Sequence, residues 1–103
     1  MGMGNLAKMA QQMQAEMARV QAELDQLELD GTAGGGVVTA TVNGRQELVG
    51  LRIDPAAVDP DDVEMLQDLI TAAVNDGLRQ VRQTAEEKMA RVTGGMSLPP
   101  GLG

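Results

Sequence analysis

Three groups of residues in this sequence have types and spacings that could do chemistry. Met9, Met13 and Met17 stand at i, i+4 and i+8, which on a helix brings three thioethers to one face, a soft donor set suited to copper. Packing in an irregular apolar seam uses the same spacing and accounts for them without a metal. Asp59, Asp61, Asp62 and Glu64 gather four carboxylates, but the glycine and distal glutamate of a calcium-binding loop are missing. Acids set against the positive end of a helix dipole explain this group. Gly34-Gly35-Gly36 could cradle a phosphate, yet no Lys-Ser/Thr pair follows and no helix begins there. A strand connection or bulge fits it better. The chain has no His and no Cys. The commonest general base, the thiolate nucleophile and the usual zinc ligands are therefore absent. No catalytic residue, metal or cofactor is expected, and the sequence reads as a protein that is not an enzyme.

The remaining chemistry is charge. Eight Lys and Arg face fifteen Asp and Glu, for a net charge of −7. The deficit is unevenly spread: residues 5–24 are neutral, residues 25–78 carry −9 and residues 79–91 carry +2. An acidic total argues against a phosphate-rich partner, because affinity for nucleic acid rests on cations. Arg79, Arg82, Lys88 and Arg91 near a helix C-terminus are also explained by the negative end of its dipole.

Two long helices and a small sheet must position these groups. Residues 5–28 contain no Gly or Pro and predict a helix with Asn5 as its N-cap. Leu6, Met13, Val20 and Leu27 form one row of a heptad stripe, and Ala10, Met17 and Leu24 the other. Such a stripe serves core packing within the chain or a seam with a second chain. The pattern then changes to alternation. Val37–Val42 and Arg45–Ile53 read as strands, with Glu47, Val49, Leu51 and Ile53 on one face of the second, and Leu29–Thr32 offers a third strand. Asn43-Gly44 between them signals a type I′ hairpin turn. Asp59 as N-cap with Pro60 at the first helical position opens a second helix that runs to about Thr93, where Gly94-Gly95 stops it. The expected fold is α+β: a long helix, a small antiparallel sheet of two or three strands, and a long helix. Residues 1–4 are expected as a flexible N-terminus, 5–93 as one α-β-α domain, and 94–103, with Pro99-Pro100, as a disordered tail.

The lengths of these elements do not match. The helices should measure about 35 Å and 48 Å, whereas a strand of seven residues spans about 23 Å. So small a sheet cannot cover both apolar stripes, and soluble monomers avoid exposed rows of large apolar side chains. A homodimer follows as the simplest expectation. No window approaches the run of about 18 apolar residues that a membrane span requires. The opening Met1-Gly2-Met3-Gly4 lacks the basic and apolar stretches of a signal peptide, and Leu6 stands where a myristoylation signal needs Ser or Thr. A cytoplasmic protein is expected.

Several stretches, in order, resemble the YbaB/EbfC family of bacterial nucleoid-associated proteins. They are Met9-Ala10-Gln11-Gln12-Met13-Gln14, Gly36-Val37-Val38, Val42-Asn43-Gly44, Ile53-Asp54-Pro55, residues 64–76, Glu87-Lys88-Met89 and Gly95-Met96-Ser97-Leu98-Pro99-Pro100-Gly101. The resemblance implies a tweezer-like homodimer joined through the sheet and second helix, which places Val49, Leu51, Leu66, Ile70 and Val74 at the dimer interface. It implies projecting helical arms that grip double-stranded DNA with little sequence preference, in the cytoplasm at the nucleoid, with effects on gene expression. Carried onto this sequence, Lys8, Arg19, Arg79, Arg82, Lys88 and Arg91 become the DNA-binding residues. The first helix departs from the family in having only Lys8 and Arg19 as cations, and Leu102 replaces a frequent aromatic residue. Backbone contact rather than base reading is expected, since no helix concentrates Arg and Asn at base-reading positions. The alternative from another class is a co-chaperone-like interaction module. Helices flanking a hairpin also resemble prefoldin-like proteins, and methionine-rich tips suit apolar clients.

Overall fold

Val38, Ala40 and Val42 alternate with Thr39, Thr41 and Asn43, and the three apolar residues are fully buried. In the computed structural model, which describes residues 2–94, they form the central strand of a three-stranded antiparallel sheet. The strands are β1 (Glu28–Ala33), β2 (Val38–Asn43) and β3 (Leu48–Ile53), in that spatial order. Helix α1 (Gly2–Gln26) precedes the sheet and helix α2 (Val63–Gly94) follows it. The α+β order helix–sheet–helix expected from the sequence is the observed one. The expectations for Met1 and for residues 95–103 lie outside the described residues.

Several boundaries differ from the sequence expectation, each for a local reason. Helix α1 begins at Gly2, so Asn5 lies inside it and is not its N-cap, and Glu28 opens β1 instead of closing the helix. Asp59 closes a turn of its own: its Oδ1 accepts from the Asp61 N–H at 2.9 Å and its carbonyl accepts from the Asp62 N–H at 2.9 Å. The N-cap of α2 is therefore Asp62, whose Oδ1 accepts from the Met65 N–H at 3.2 Å. Pro60 sits in the preceding turn, outside the helix.

The β2–β3 hairpin is not type I′, because Gly44 does not have a positive φ. Asn43 Oδ1 accepts from the N–H groups of Arg45 (2.9 Å) and Glu47 (3.1 Å), and the left-handed residue is Gln46, at φ 63°. This is the three-residue hairpin in which a turn is followed by one left-handed position, a place glycine favours. Gly44 is needed for space: a Cβ there would lie 1.7 Å from the Leu24 carbonyl oxygen. Relieving the strained position should help the fold. Gln46→Gly is expected to raise stability by about 1 kcal/mol, read as a higher urea midpoint at unchanged m-value.

Helix α2 lies across β1 and β2 rather than over the whole sheet. It is held close by Gly31 and Gly77: a Cβ on Gly31 would come within 2.2 Å of the Ala73 carbonyl oxygen and the Gly77 nitrogen. Ala73, Val38 and Ala40 form the buried centre here, with Leu66, Leu69, Ile70 and Val74 packed around it. Strand β3 is left at the edge. A bulge opposite Thr41 and Val42 pairs Leu48 with Val42 and makes Val49 the extra residue, which breaks the regular alternation of the strand there.

A second, separate cluster joins α1 to the far half of α2 through Val20, Leu24 and Val92, with Met13, Leu27 and Ala85 around them. The two helices form an arm that extends from the sheet. The described chain measures 73 × 30 × 16 Å with a radius of gyration of 19.9 Å, well above the about 13 Å of a compact chain of about 100 residues.

Candidate nucleic-acid interface

Along the arm the cations match or outnumber the carboxylates, and the packing of the helices decides which of them are available. Turning Val20 and Leu24 of α1 towards α2 brings Glu23 to the edge of the seam. There its Oε2 accepts from Lys88 Nζ at 2.9 Å, and the Lys88 side chain is only 22% exposed. The Lys88 hydrogen bond and charge hold the Glu23 carboxyl below the ordinary carboxylate range, and the charges of Arg19 and Arg91 act in the same direction. A lowered carboxylate pKa means that this clasp is present above the ordinary range and is lost as pH falls through the lowered value. Lys88 is thus a fastener between helices.

The other expected DNA-binding residues divide by their partners. Arg19 is ion-paired with Glu16 on its own helix. Arg79 lies 3.4 Å from Asp76 Oδ1, while Asp76 Oδ2 accepts from the Thr32 N–H at 3.0 Å and from Gln80 Nε2 at 3.1 Å. Asp76 therefore ties α2 to β1. Among the described residues, Lys8, Arg82 and Arg91 have no carboxylate within 4.0 Å.

Nor do the six cations form one patch. Arg82 and Arg91 are nine residues apart, which at about 100° per residue puts them on opposite faces of α2, separated by about 14 Å along its axis. Arg19, Lys88 and Arg91 meet in one shallow groove between the helices, together with Glu16 and Glu23. Lys8 lies further out on α1, and Arg79 and Arg82 lie nearer the sheet. The arm thus offers cations around its circumference, spaced over several turns, instead of a single flat basic surface. The carboxylates of residues 25–78, which give that stretch its net −9, lie on the sheet side of the chain.

The residues expected at a dimer interface fall on either side of a step. Val49 and Leu51 of β3 are 51% and 41% exposed, as is Leu48 at 48%. Leu66, Ile70 and Val74 are half-buried, packed against the Val38–Ala40–Ala73 centre. No helix among the described residues is long and apolar enough to cross a membrane. Among the same residues, no group of three or more acidic, His or Cys side chains is arranged to hold a metal ion.

The sequence pattern of the YbaB/EbfC DNA-binding family matches residues 1–96. The chain belongs to that family. A nucleoid-associated protein of Moorella thermoacetica is 58% identical over 102 residues, covering 96% of this chain and 98% of the relative. One from Alkaliphilus metalliredigens is 46% identical over 97 residues, 94% of this chain and 85% of the relative. A Thermoanaerobacter protein of the same description is 50% identical over 95 residues, 92% of this chain and 86% of the relative. Among solved structures, the crystal structure of an uncharacterized protein from Helicobacter pylori superposes with a TM-score of 0.72 at 26% identity, covering 90% of this chain and 98% of that one. The helix–sheet–helix subunit is therefore shared with a solved protein across nearly its whole length. Members of the YbaB/EbfC family carry DNA-binding in their description, and the arm is where this chain concentrates unpaired cations.

Proposed function

We propose that this chain is a nucleoid-associated protein that binds duplex DNA as a homodimer, through the phosphate backbone, using the outer faces of its arms. The carrying observation is the segregation of charge. Lys8, Arg82 and Arg91 are unpaired on an extended arm, while the acidic surplus is confined to the sheet side. Family membership and the names of the relatives support DNA as the ligand and the nucleoid as the place. Cations spread around a helical arm suit a phosphate backbone that curves past them, and no base-reading cluster accompanies them.

The dimer reading rests on the step between α2 and β3. Leu48, Val49 and Leu51 present apolar surface that α2 does not cover. A two-fold partner would bury it against its own copy together with Leu66, Ile70 and Val74. Two arms then project from one acidic body, and the duplex is held between or along them. Binding would bend, stiffen or bridge DNA without reading sequence, and gene expression would respond to that change of conformation.

The test is a titration of duplex DNA of several sequences across salt. A dimer using three unpaired cations per subunit neutralises about six phosphates, so log K against log salt should fall with a slope of about −5, alike for all sequences. A slope near zero, or no shift of duplex at low salt, overturns the reading. Light scattering should give twice the 10.8 kDa chain mass; a stable folded monomer removes the dimer. The client-binding alternative has one observation in its favour, an apolar groove at the outer end of the arm. Suppression of aggregation of an unfolded protein, without retention on DNA, would select it.

A further inference from the structure

One heptad seam runs along α1, and it is closed over only part of its length. Val20 and Leu24 are buried against Val92 of α2, with Met13 at the edge of the cluster. Leu6 and Ala10 continue the same rows towards the helix start and line, with Met9, the outer part of an open groove of about 480 Å³. Leu6 is 65% exposed and Met9 55%, so among the described residues nothing covers them.

We propose that a second copy of this chain closes the outer part of the seam, α1 against α1, in a two-fold contact at the tips of the arms. Three observations select a copy as the occupant. A heptad stripe packs on a helix that carries a matching stripe, and the Leu6, Ala10 and Met13 of another copy are such a stripe. The charges suit a copy too. Lys8 is the one charged residue between positions 2 and 15, and it stands about 200° around the helix from Leu6, on the far side. Asn5, Gln12 and Gln14 flank the stripe, and these neutral groups can pair with their own kind across a two-fold axis, where a strongly acidic or basic partner gains nothing. At the inner end of the groove Glu16 and Arg91 are of opposite sign, so a copy of that edge is met without net repulsion. Size is the third. A contact about 13 Å long and one helix face wide buries on the order of 300 Å² in total, against the about 1,200 Å² at which stable interfaces begin. The tips therefore do not hold the chain together in dilute solution; they join arms that something else has brought close.

On the reading proposed above, DNA does this: neighbouring dimers on one duplex hold their arms at an effective concentration of order millimolar. A two-fold contact at the body and another at the tips would link such dimers in rows, with the Lys8 side of α1 left free for phosphate. The test uses no DNA, so it fails or succeeds apart from that reading. The chain has no Cys, and a single introduced thiol is unique. Full-length Ala10→Cys, held at high concentration with a short bis-maleimide, should be trapped as a covalent pair, because an irreversible link collects a transient contact. The pair should be lost when Leu6→Ser and Met9→Ser are added with the circular dichroism unchanged, and it should be absent in Gln11→Cys, whose thiol lies on the far side of the helix. Equal cross-linking at positions 10 and 11 is random collision and overturns the proposal. So does a pair that survives the two serine changes, or the absence of a pair in Ala10→Cys.

Discussion

Replacing Gly31 with alanine is expected to cost this protein at least about 3 kcal/mol, beyond the range of ordinary overpacking. The added Cβ would lie 2.2 Å from both the Ala73 carbonyl oxygen and the Gly77 nitrogen. Both are backbone atoms of α2, so no side chain can rotate away, and the helix itself must move outward by more than 1 Å. Moving it opens the Val38–Ala40–Ala73 centre and lengthens the Thr32–Asp76 and Asp30–Gln80 hydrogen bonds, now 3.0 and 2.9 Å. For a domain of this size the loss corresponds to a Tm lower by about 12 °C or more, followed by circular dichroism at the helical band. Gly35→Ala is the control. It meets nothing within 4 Å, but its φ of 73° makes alanine strained, so the expected cost is only about 1 kcal/mol. Equal losses at the two positions would mean that the close approach of β1 and α2 is not what holds them together.

Much of this architecture is legible in the sequence, because two periods write it. The heptad rows through Val20 and Leu24 announce a helical seam without saying whether its mate is in the same chain, and the structure sets α2 against them; the alternation of Val38, Ala40 and Val42 predicts the central strand. The misreadings share one cause: a residue with several roles open to it takes the role that distant neighbours leave it. Asn43-Gly44 reads as a type I′ turn, but Gly44 is there because the Leu24 carbonyl passes so near, a fact of tertiary structure. Asp59 and Asp62 are both fit to cap a helix, and the turn at Asp59 consumes the first. The close packing at Gly31 and Gly77 leaves no local signal, because the two residues are 46 positions apart.

The candidate site divides in the same way. Counting charges along the chain finds the basic end of α2 and the acidic stretch before it. It cannot find that Glu23 claims Lys88 from 65 residues away. The opposed faces of Arg82 and Arg91, by contrast, follow from their nine-residue spacing alone. The cations therefore fall into two classes. Arg19, Arg79 and Lys88 already face carboxylates, and a phosphate must compete with Glu16, Asp76 or Glu23 for them. Lys8, Arg82 and Arg91 have no carboxylate within 4.0 Å among the described residues.

That division sets the largest effect expected on DNA. On the proposed reading, reversing the unpaired set, with Lys8→Glu, Arg82→Glu and Arg91→Glu in one chain, should remove about six phosphate contacts per proposed dimer and put like charge in their place. Non-specific binding rests almost wholly on this term, so retention on duplex should be lost at any workable salt and the slope near −5 should vanish. Fold and dimer should survive, because none of the three side chains belongs to the buried clusters; circular dichroism and light scattering check this on the same sample. Neutralising the paired set with Arg19→Gln and Arg79→Gln should change affinity by no more than about threefold, since exposed cations already offset by carboxylates release few counterions. Lys88 is left out of that comparison because it also links the two helices through Glu23. If the paired set proves decisive and the unpaired set silent, the ion pairs open on DNA and the duplex contacts Arg19 and Arg79 in place of Lys8, Arg82 and Arg91. If neither set matters, the contact must come from Lys88 on the arm or from Arg52 or Arg45 on the sheet side of the chain.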